Sequence, residues 1–337
     1  MHSEELHAIA KQLVAPNKGI LAADESTKNI GKKFKVVGVK NTKDNRRRYR
    51  QMFFWIPAIE ENLSGVILHD ETIKQNDENG KPFIEILKDK GIIPGIKVDA
   101  GAVDLPLFTG EKITEGLDDL RKRLQKYNRM GAHFAKWRAV ITIGKDIPSE
   151  ACMDANAYVL SQYAAMCQEV GIVPIVEPEV LMDGDHTIER CEEVTTKMLK
   201  KLFAELVKYH VDLKGVILKS NMAISGKKCS KQVTAEEVAE ATLRMFHNAV
   251  PAEVAGIVFL SGGQSAKQAT ENLNAICKRK PQPWPITFSY ARALQAPALE
   301  IWKGDDTKLP EARNMFLKRL KLTAAARNGT YDPSMEN

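Results

Sequence analysis

Eight short apolar runs, each bounded by glycine or proline and most of them ending in a polar or ionisable residue, constrain this chain more than any other feature. They are Gly19 to Ala23, Gly65 to Leu68, Ile92 to Ile96, His133 to Ala135, Ile172 to Val176, Gly215 to Leu218, Gly256 to Leu260 and Pro285 to Phe288. Runs this short and this apolar read as strands covered on both faces, the pattern of a parallel sheet. Between most of them lie amphipathic stretches with helical period: Glu115 to Met130, Ser149 to Val170, Thr187 to His210, Thr234 to Ala249 and Ser265 to Cys277. Eight strand and helix units without a composition break predict an α/β fold, a TIM (β/α)8 barrel forming a single domain over residues 1-337. An open doubly wound sheet is the alternative, and the count of eight favours the barrel.

The ends of the runs carry the chemistry. They lead into Asp24, Lys97, Lys136, Glu177, Lys219, Ser261 and Ser289. In a TIM barrel the C-terminal ends of the strands form the active-site face, so these groups are expected around one mouth. Side chains two apart on a strand share a direction, which pairs Lys136 with Arg138, Glu177 with Glu179 and Asp24 with Ser26. Any one of these could be a structural ion pair. Seven strand ends together point to a site, because charges beside apolar strands need partners or ligands.

Lys219 follows the apolar run Gly215 to Leu218 directly. An ordinary lysine is a free amine only about once in 2,500 molecules at pH 7, too rarely for an efficient nucleophile. Burial and neighbouring positive charge both favour the neutral amine, which can attack a ketone. Glu177, on the adjacent strand, is the candidate to move the protons of that reaction, and Glu179 is expected to assist or orient it. The plain alternative is a rim lysine paired with Glu177.

Ser261-Gly262-Gly263-Gln264-Ser265 precedes a helical pattern, and its glycines let backbone N–H groups approach an anion. Arg292, just beyond the eighth run, supplies charge. A second anion grip is expected from Ser26, Lys33 and Lys97, and two grips imply a bisphosphate.

Composition narrows the remaining classes. With 44% hydrophobic and 27% charged residues, a substantial core is expected. The net charge of +6 is spread along the chain, which suits small anionic substrates and argues against nucleic acid. The dense run Arg46-Arg47-Arg48 is read as a solvated helix face or a subunit contact. Met1 to Leu13 has no signal-peptide pattern, and no segment predicts a membrane span. Five widely spaced cysteines without a CxxC pair fit a cytoplasmic protein. The seven histidines lack ligand spacing, so no metal and no cofactor is expected.

With these residues in hand, the chain resembles the class I fructose-bisphosphate aldolases. The resemblance runs from Gly19-Ile-Leu-Ala-Ala-Asp-Glu-Ser26 through Gly95-Ile-Lys-Val-Asp99, Phe134-Ala-Lys-Trp-Arg138, Val173-Pro-Ile-Val-Glu-Pro-Glu179 and Phe259-Leu-Ser-Gly-Gly-Gln-Ser265 to Thr287-Phe-Ser-Tyr-Ala-Arg292. It implies metal-independent cleavage of fructose 1,6-bisphosphate to dihydroxyacetone phosphate and glyceraldehyde 3-phosphate, and the reverse condensation, in glycolysis and gluconeogenesis. It further implies that Lys219 forms the Schiff base with C2 and that Glu177 transfers protons. Asp24 interacts with the C4 hydroxyl, and Lys136 and Glu179 complete the charged cluster. Lys97, Arg138, Ser26, Ser261, Gly262 and Arg292 hold the substrate and its phosphates, with Lys33, Gly263 and Ser289 counted among the substrate-binding residues. A homotetramer is implied as well. Another lysine Schiff-base sugar-phosphate aldolase, or a scaffold protein that keeps the fold without activity, are the rival readings.

Four positions depart from the family pattern. Ser220 stands where proline usually follows the lysine, Ala291 where glycine precedes the arginine, Asn29 for a usual serine and Lys33 for a usual arginine. Many members also carry a tail ending in tyrosine that protonates the enamine, whereas this sequence closes at Ser334-Met335-Glu336-Asn337. Either Glu177 or water does that work, or a natural chain longer than this one supplies the tyrosine; the first is the expectation, with Tyr331 a poor substitute.

Overall fold

Among the described residues ten strands form in chain order: β1 (Gly19–Ala23), β2 (Leu63–Leu68), β3 (Ile93–Lys97), β4 (Gly101–Asp104), β5 (Lys112–Glu115), β6 (Phe134–Ile141), β7 (Val173–Val180), β8 (Ile217–Ser220), β9 (Gly256–Phe259) and β10 (Ile286–Tyr290). The structure is a computed structural model that describes residues 3–337; Met1 and His2, where the N-terminal reading begins, lie outside the described residues. Eight of the strands close into a barrel in the order β1-β10-β9-β8-β7-β6-β3-β2. Every barrel pairing is parallel, as helical crossovers require.

Alternation along the strands builds two cores. One set of residues, including Leu21, Ala23, Val66, Ala135, Trp137, Val176 and Phe259, packs outward against the helices. The other set, Ile20, Ala22, Ile67, Phe134, Val173, Ile175, Ile217 and Val258, fills the barrel interior. Leu6, Ala10 and Leu13 of the helix Ser3–Leu13 join this inner cluster and close the N-terminal end. Following the inward positions along β6 gives Phe134, Lys136, Arg138; along β7 it gives Val173, Ile175, Glu177, Glu179; along β8 it gives Ile217, Lys219. Each inward row therefore begins apolar and becomes charged toward the C-terminal end of the barrel.

Two predicted runs end too early. The fourth and fifth were expected to stop at Ala135 and Val176, but β6 and β7 continue to Ile141 and Val180 and pair over eight positions, from Phe134 with Val173 to Ile141 with Val180. Charge does not terminate these strands, because the outward neighbours Trp137 and Ala139 stay in the core while the ionic groups point inward. The helix expected from Glu115 spans only Leu120–Met130. Its predicted start is taken by an antiparallel hairpin, β4 against β5, with Gly101 opposite Glu115 and Asp104 opposite Lys112. The other helices begin where side-chain caps predict: Ser149, Thr187, Thr234 and Ser265 each accept a hydrogen bond from a backbone N–H of the first turn. No helix among the described residues is long and apolar enough to cross a membrane.

Candidate active site

A cavity of about 440 Å³ opens at the C-terminal end of the barrel. Five basic side chains (Lys33, Lys136, Arg138, Lys219, Arg292) and four acidic ones (Asp24, Glu25, Glu177, Glu179) line it, leaving a net positive mouth suited to anions.

Its floor is a chain of alternating charges. Lys219 Nζ lies 3.2 Å from Glu177 Oε1, and Lys136 Nζ lies 3.3 Å from Glu177 Oε2 and 2.7 Å from Asp24 Oδ2. All four side chains are buried, with Lys219 only 4% exposed. Beside them the Arg138 guanidinium donates to the Glu179 carboxylate. Burial raises the Asp24 pKa, but the charges of Lys136 and Lys219 outweigh it and hold the carboxyl well below the usual range. Glu177 follows the same logic: burial raises its pKa, and Lys219, Lys136 and Arg138 together lower it. Lys136 is pushed the other way, since burial opposes its charge while Asp24, Glu177 and Asp99 stabilise it more strongly. Lys136 is thus a fixed cation between two fixed carboxylates, and Lys219 faces a proton acceptor.

The rim is built by strand ends and helix starts. Ser261 and Gly262 follow β9 and line the cavity. A Cβ on Gly262 would lie 2.8 Å from Glu179 Oε1, so only glycine lets this backbone approach the carboxylate. Ser289 on β10 is 1% exposed, lines the cavity, and has an Oγ with no hydrogen-bond partner in the protein. Arg292 opens the helix Arg292–Trp302 behind Ala291. Among the described residues no group of three or more His, Cys, Asp or Glu side chains is placed to hold a metal ion.

Comparison with known proteins fixes the family. The profile described as fructose-bisphosphate aldolase class-I matches residues 5–337. A probable fructose-bisphosphate aldolase class 1 of Xanthomonas campestris is 51% identical over 332 residues, covering 98% of this chain and 99% of that protein. Human fructose-bisphosphate aldolase C is 47% identical over 336 residues, covering 99% of this chain and 92% of its own. This chain belongs to the class I fructose-bisphosphate aldolases. The solved aldolase of Plasmodium falciparum, in complex with TRAP and a small-molecule inhibitor, superposes with a TM-score of 0.97 at 43% identity, covering 98% of this chain and 96% of that one. The aldolase is accordingly a lyase that reversibly cleaves fructose 1,6-bisphosphate into its two triose phosphates, in glycolysis.

The aldolase fold brings together Asp24, Lys33, Lys136, Arg138, Glu177, Glu179, Lys219, Ser261, Gly262, Ser289 and Arg292 around one cavity. Three expected substrate-binding residues lie elsewhere. Ser26 caps the helix Thr27–Val36, its Oγ accepting from Asn29 N at 3.3 Å. Gly263 adopts φ +79° and turns toward Met182 and Lys227 rather than into the cavity. Lys97 is turned to Asp99, bonding the carbonyl at 2.8 Å and Oδ1 at 2.5 Å. Sequence reading missed Glu25 and Asp99. Asp99 also accepts from Arg138 N at 3.2 Å, tying β3 to β6 beneath the site. Its place two residues after Lys97 was the available signal.

Proposed function

We propose that Lys219 is the Schiff-base lysine of this aldolase and that Glu177 moves its protons. The observation that carries the assignment is a buried amine 3.2 Å from a carboxylate whose second oxygen is held by a permanently charged lysine. The Lys219 amine attacks C2 of the open-chain ketose, the carbonyl pair goes to oxygen together with a proton from the attacking nitrogen, and Glu177 holds the further proton that Lys219 gives up on going from ammonium to amine. Returning that proton to the carbinolamine hydroxyl releases water and leaves a protonated imine. The C4 hydroxyl then gives its proton to Asp24 as C3–C4 breaks, and the bond's electron pair flows into the imine to form an enamine. Glyceraldehyde 3-phosphate departs. Protonation at C3, by Glu177 or water, and hydrolysis release dihydroxyacetone phosphate.

Lys136 stabilises the anionic forms of Asp24 and Glu177, and the Arg138–Glu179 pair walls the cavity beside them. Arg292 with the Ser261–Gly262 backbone is placed to take one phosphate, and Lys33 to take part in holding the other; Ser289 offers a hydroxyl to the substrate. Ser26, Gly263 and Lys97 reach substrate only if a loop or side chain shifts. The assembly is proposed to be a homotetramer and its compartment the cytoplasm, in keeping with the family and with five cysteines that are all free.

Borohydride reduction in the presence of dihydroxyacetone phosphate, followed by peptide mass mapping, tests the central assignment. A stable adduct on Lys219, formed equally well with EDTA present, is the expected result. Loss of activity on chelation with no adduct overturns it.

A further inference from the structure

Arg50 is a buried cation next to the site that the chemistry above leaves without a task. It lies in the helix Lys43–Phe54 and is 2% exposed. Its Nη2 stands 2.7 Å from Glu25 Oε2, and also donates to the Glu25 backbone carbonyl at 3.3 Å. The approach to the carboxylate is oblique, so the contact is an ion pair and not a straight hydrogen bond. Arg50 Nε and Nη1, and Glu25 Oε2 itself, have no hydrogen-bond partner in the protein. A side chain needed only for packing would not bring two unmatched donors into the core. The other oxygen of Glu25 accepts from Lys33, a cation that lines the cavity. Arg50, Glu25 and Lys33 thus run from the core to the substrate space.

Consider Lys33 turning from Glu25 to a phosphate. A buried carboxylate stripped of its partner carries a penalty large enough to cancel one new contact. Glu25 does not meet that cost here, because Arg50 remains beside it. We propose that Arg50 is a positioning residue: it holds the charge of Glu25 so that Lys33 can exchange a carboxylate for a phosphate of the substrate. Glu25 parks the lysine at the cavity wall when no phosphate is present. Both residues set the affinity for phosphorylated ketoses, and neither touches the reacting carbons. The inference rests on the placement of a substrate phosphate near Lys33.

Steady-state kinetics with fructose 1,6-bisphosphate tests it. Lys33→Met raises KM, which anchors the placement of the phosphate. Arg50→Met raises KM about tenfold, the weight of one charge-assisted contact, and the loss falls on KM rather than kcat. Arg50→Lys restores part of it. The deciding variant is Arg50→Met combined with Glu25→Gln: with the carboxylate neutralised, Lys33 is released, and KM falls back toward the parent. A double variant no better than Arg50→Met overturns the proposal. Where Arg50→Met does not fold, Glu25→Gln alone decides, since inorganic phosphate then inhibits at a concentration several-fold lower; an unchanged or weaker inhibition overturns it. If Lys33→Met leaves KM unaltered, the phosphate placement itself falls, and the proposal with it. A raised KM in Lys33→Met with no recovery in the double variant removes only the role of Arg50.

Discussion

Glu177 bridges Lys219 and Lys136, with one carboxylate oxygen 3.2 Å from the first amine and the other 3.3 Å from the second. A single buried anion thus serves two buried cations, so its loss has two consequences. Glu177→Gln leaves both ammonium groups without their shared counter-charge, which costs about 3–5 kcal/mol of stability. It also removes the group that carries protons to and from the carbinolamine, worth roughly 10² to 10⁴ in rate. Urea unfolding and single-turnover cleavage on one preparation separate the two. A variant with parental turnover would remove Glu177 from the mechanism.

Asp24 gives the site a pH signature. Its carboxyl is held below the ordinary range, where Lys136 and Lys219 overcome the effect of burial. A depressed folded pKa contributes stability that is complete above the unfolded value, near 3.8, and is lost as pH falls through the folded one. The parent protein is therefore expected to lose stability below about pH 5, at roughly 1.4 kcal/mol for each unit of depression. Asp24→Asn lacks this contribution, so the gap between parent and variant is wide at pH 6 and narrows toward pH 3. Denaturant midpoints across that range check it; a constant gap would mean that Asp24 is not held ionised by the lysines.

Asp99 is expected to matter without touching substrate. It accepts from Lys97 Nζ and from Arg138 N, and so couples the end of β3 to the strand that carries two site residues. Asp99→Asn keeps the shape and removes the charge. Lys97 then keeps the backbone carbonyl of residue 99 but loses its charged partner, and Lys136 loses one of the carboxylates that stabilise its charge. The expected result is a several-fold fall in kcat/KM with a stability loss of about 1–3 kcal/mol. Unaltered kinetics would confine Asp99 to a structural role.

Much of this site was legible because a barrel converts sequence parity into direction. Asp24, Lys136, Glu177 and Lys219 each follow an apolar inward row, and the fold delivers them to one floor. The same rule misled at strand ends. Lys136 and Glu177 were read as the points where strands stop, although parallel pairing carries β6 and β7 past both. Beyond the last ladder residue, parity no longer applies: Ser26, two after Asp24, turns away to cap a helix, while Glu25, of the opposite parity, enters the cavity. Gly263 was grouped with Gly262 by adjacency, but its left-handed backbone aims it elsewhere. The hairpin β4–β5 escaped because strands of four residues with one buried position leave almost no apolar pattern.

Gly262→Ala probes the rim by shape alone. The added methyl meets Glu179 Oε1 and Leu260 Cδ1, each at 2.8 Å. The carboxylate is the softer neighbour, so it moves, and Arg138 follows its partner. Overpacking of this kind costs about 1–3 kcal/mol. The larger effect is expected in catalysis, with kcat/KM lower by about tenfold. A variant that loses stability but retains kcat/KM would separate the Arg138–Glu179 wall from the reaction.

Tyr331 supplies the last test, because an aldolase that protonates its enamine through Glu177 or water has no need of this phenol. The residue is 3% exposed and packs in the outer core, with its backbone N–H bonded to Asn274 Oδ1 at 3.1 Å. Its hydroxyl donates to Glu336 Oε1 at 3.1 Å, an oxygen that also receives Arg319 at 2.7 Å. Burial and the Glu336 charge push the phenol up to about 12, so at neutral pH it keeps its proton in that bond. Nor does it line the cavity that holds Lys219. Tyr331→Phe is expected to leave turnover within about twofold of the parent and to lower stability by about 1 kcal/mol, the worth of one hydrogen bond. Exchange of the dihydroxyacetone phosphate C3 proton with solvent is the sensitive readout. A large drop in that exchange, with the fold intact, would place Tyr331 in the proton path and remove Glu177 or water as the sufficient donor.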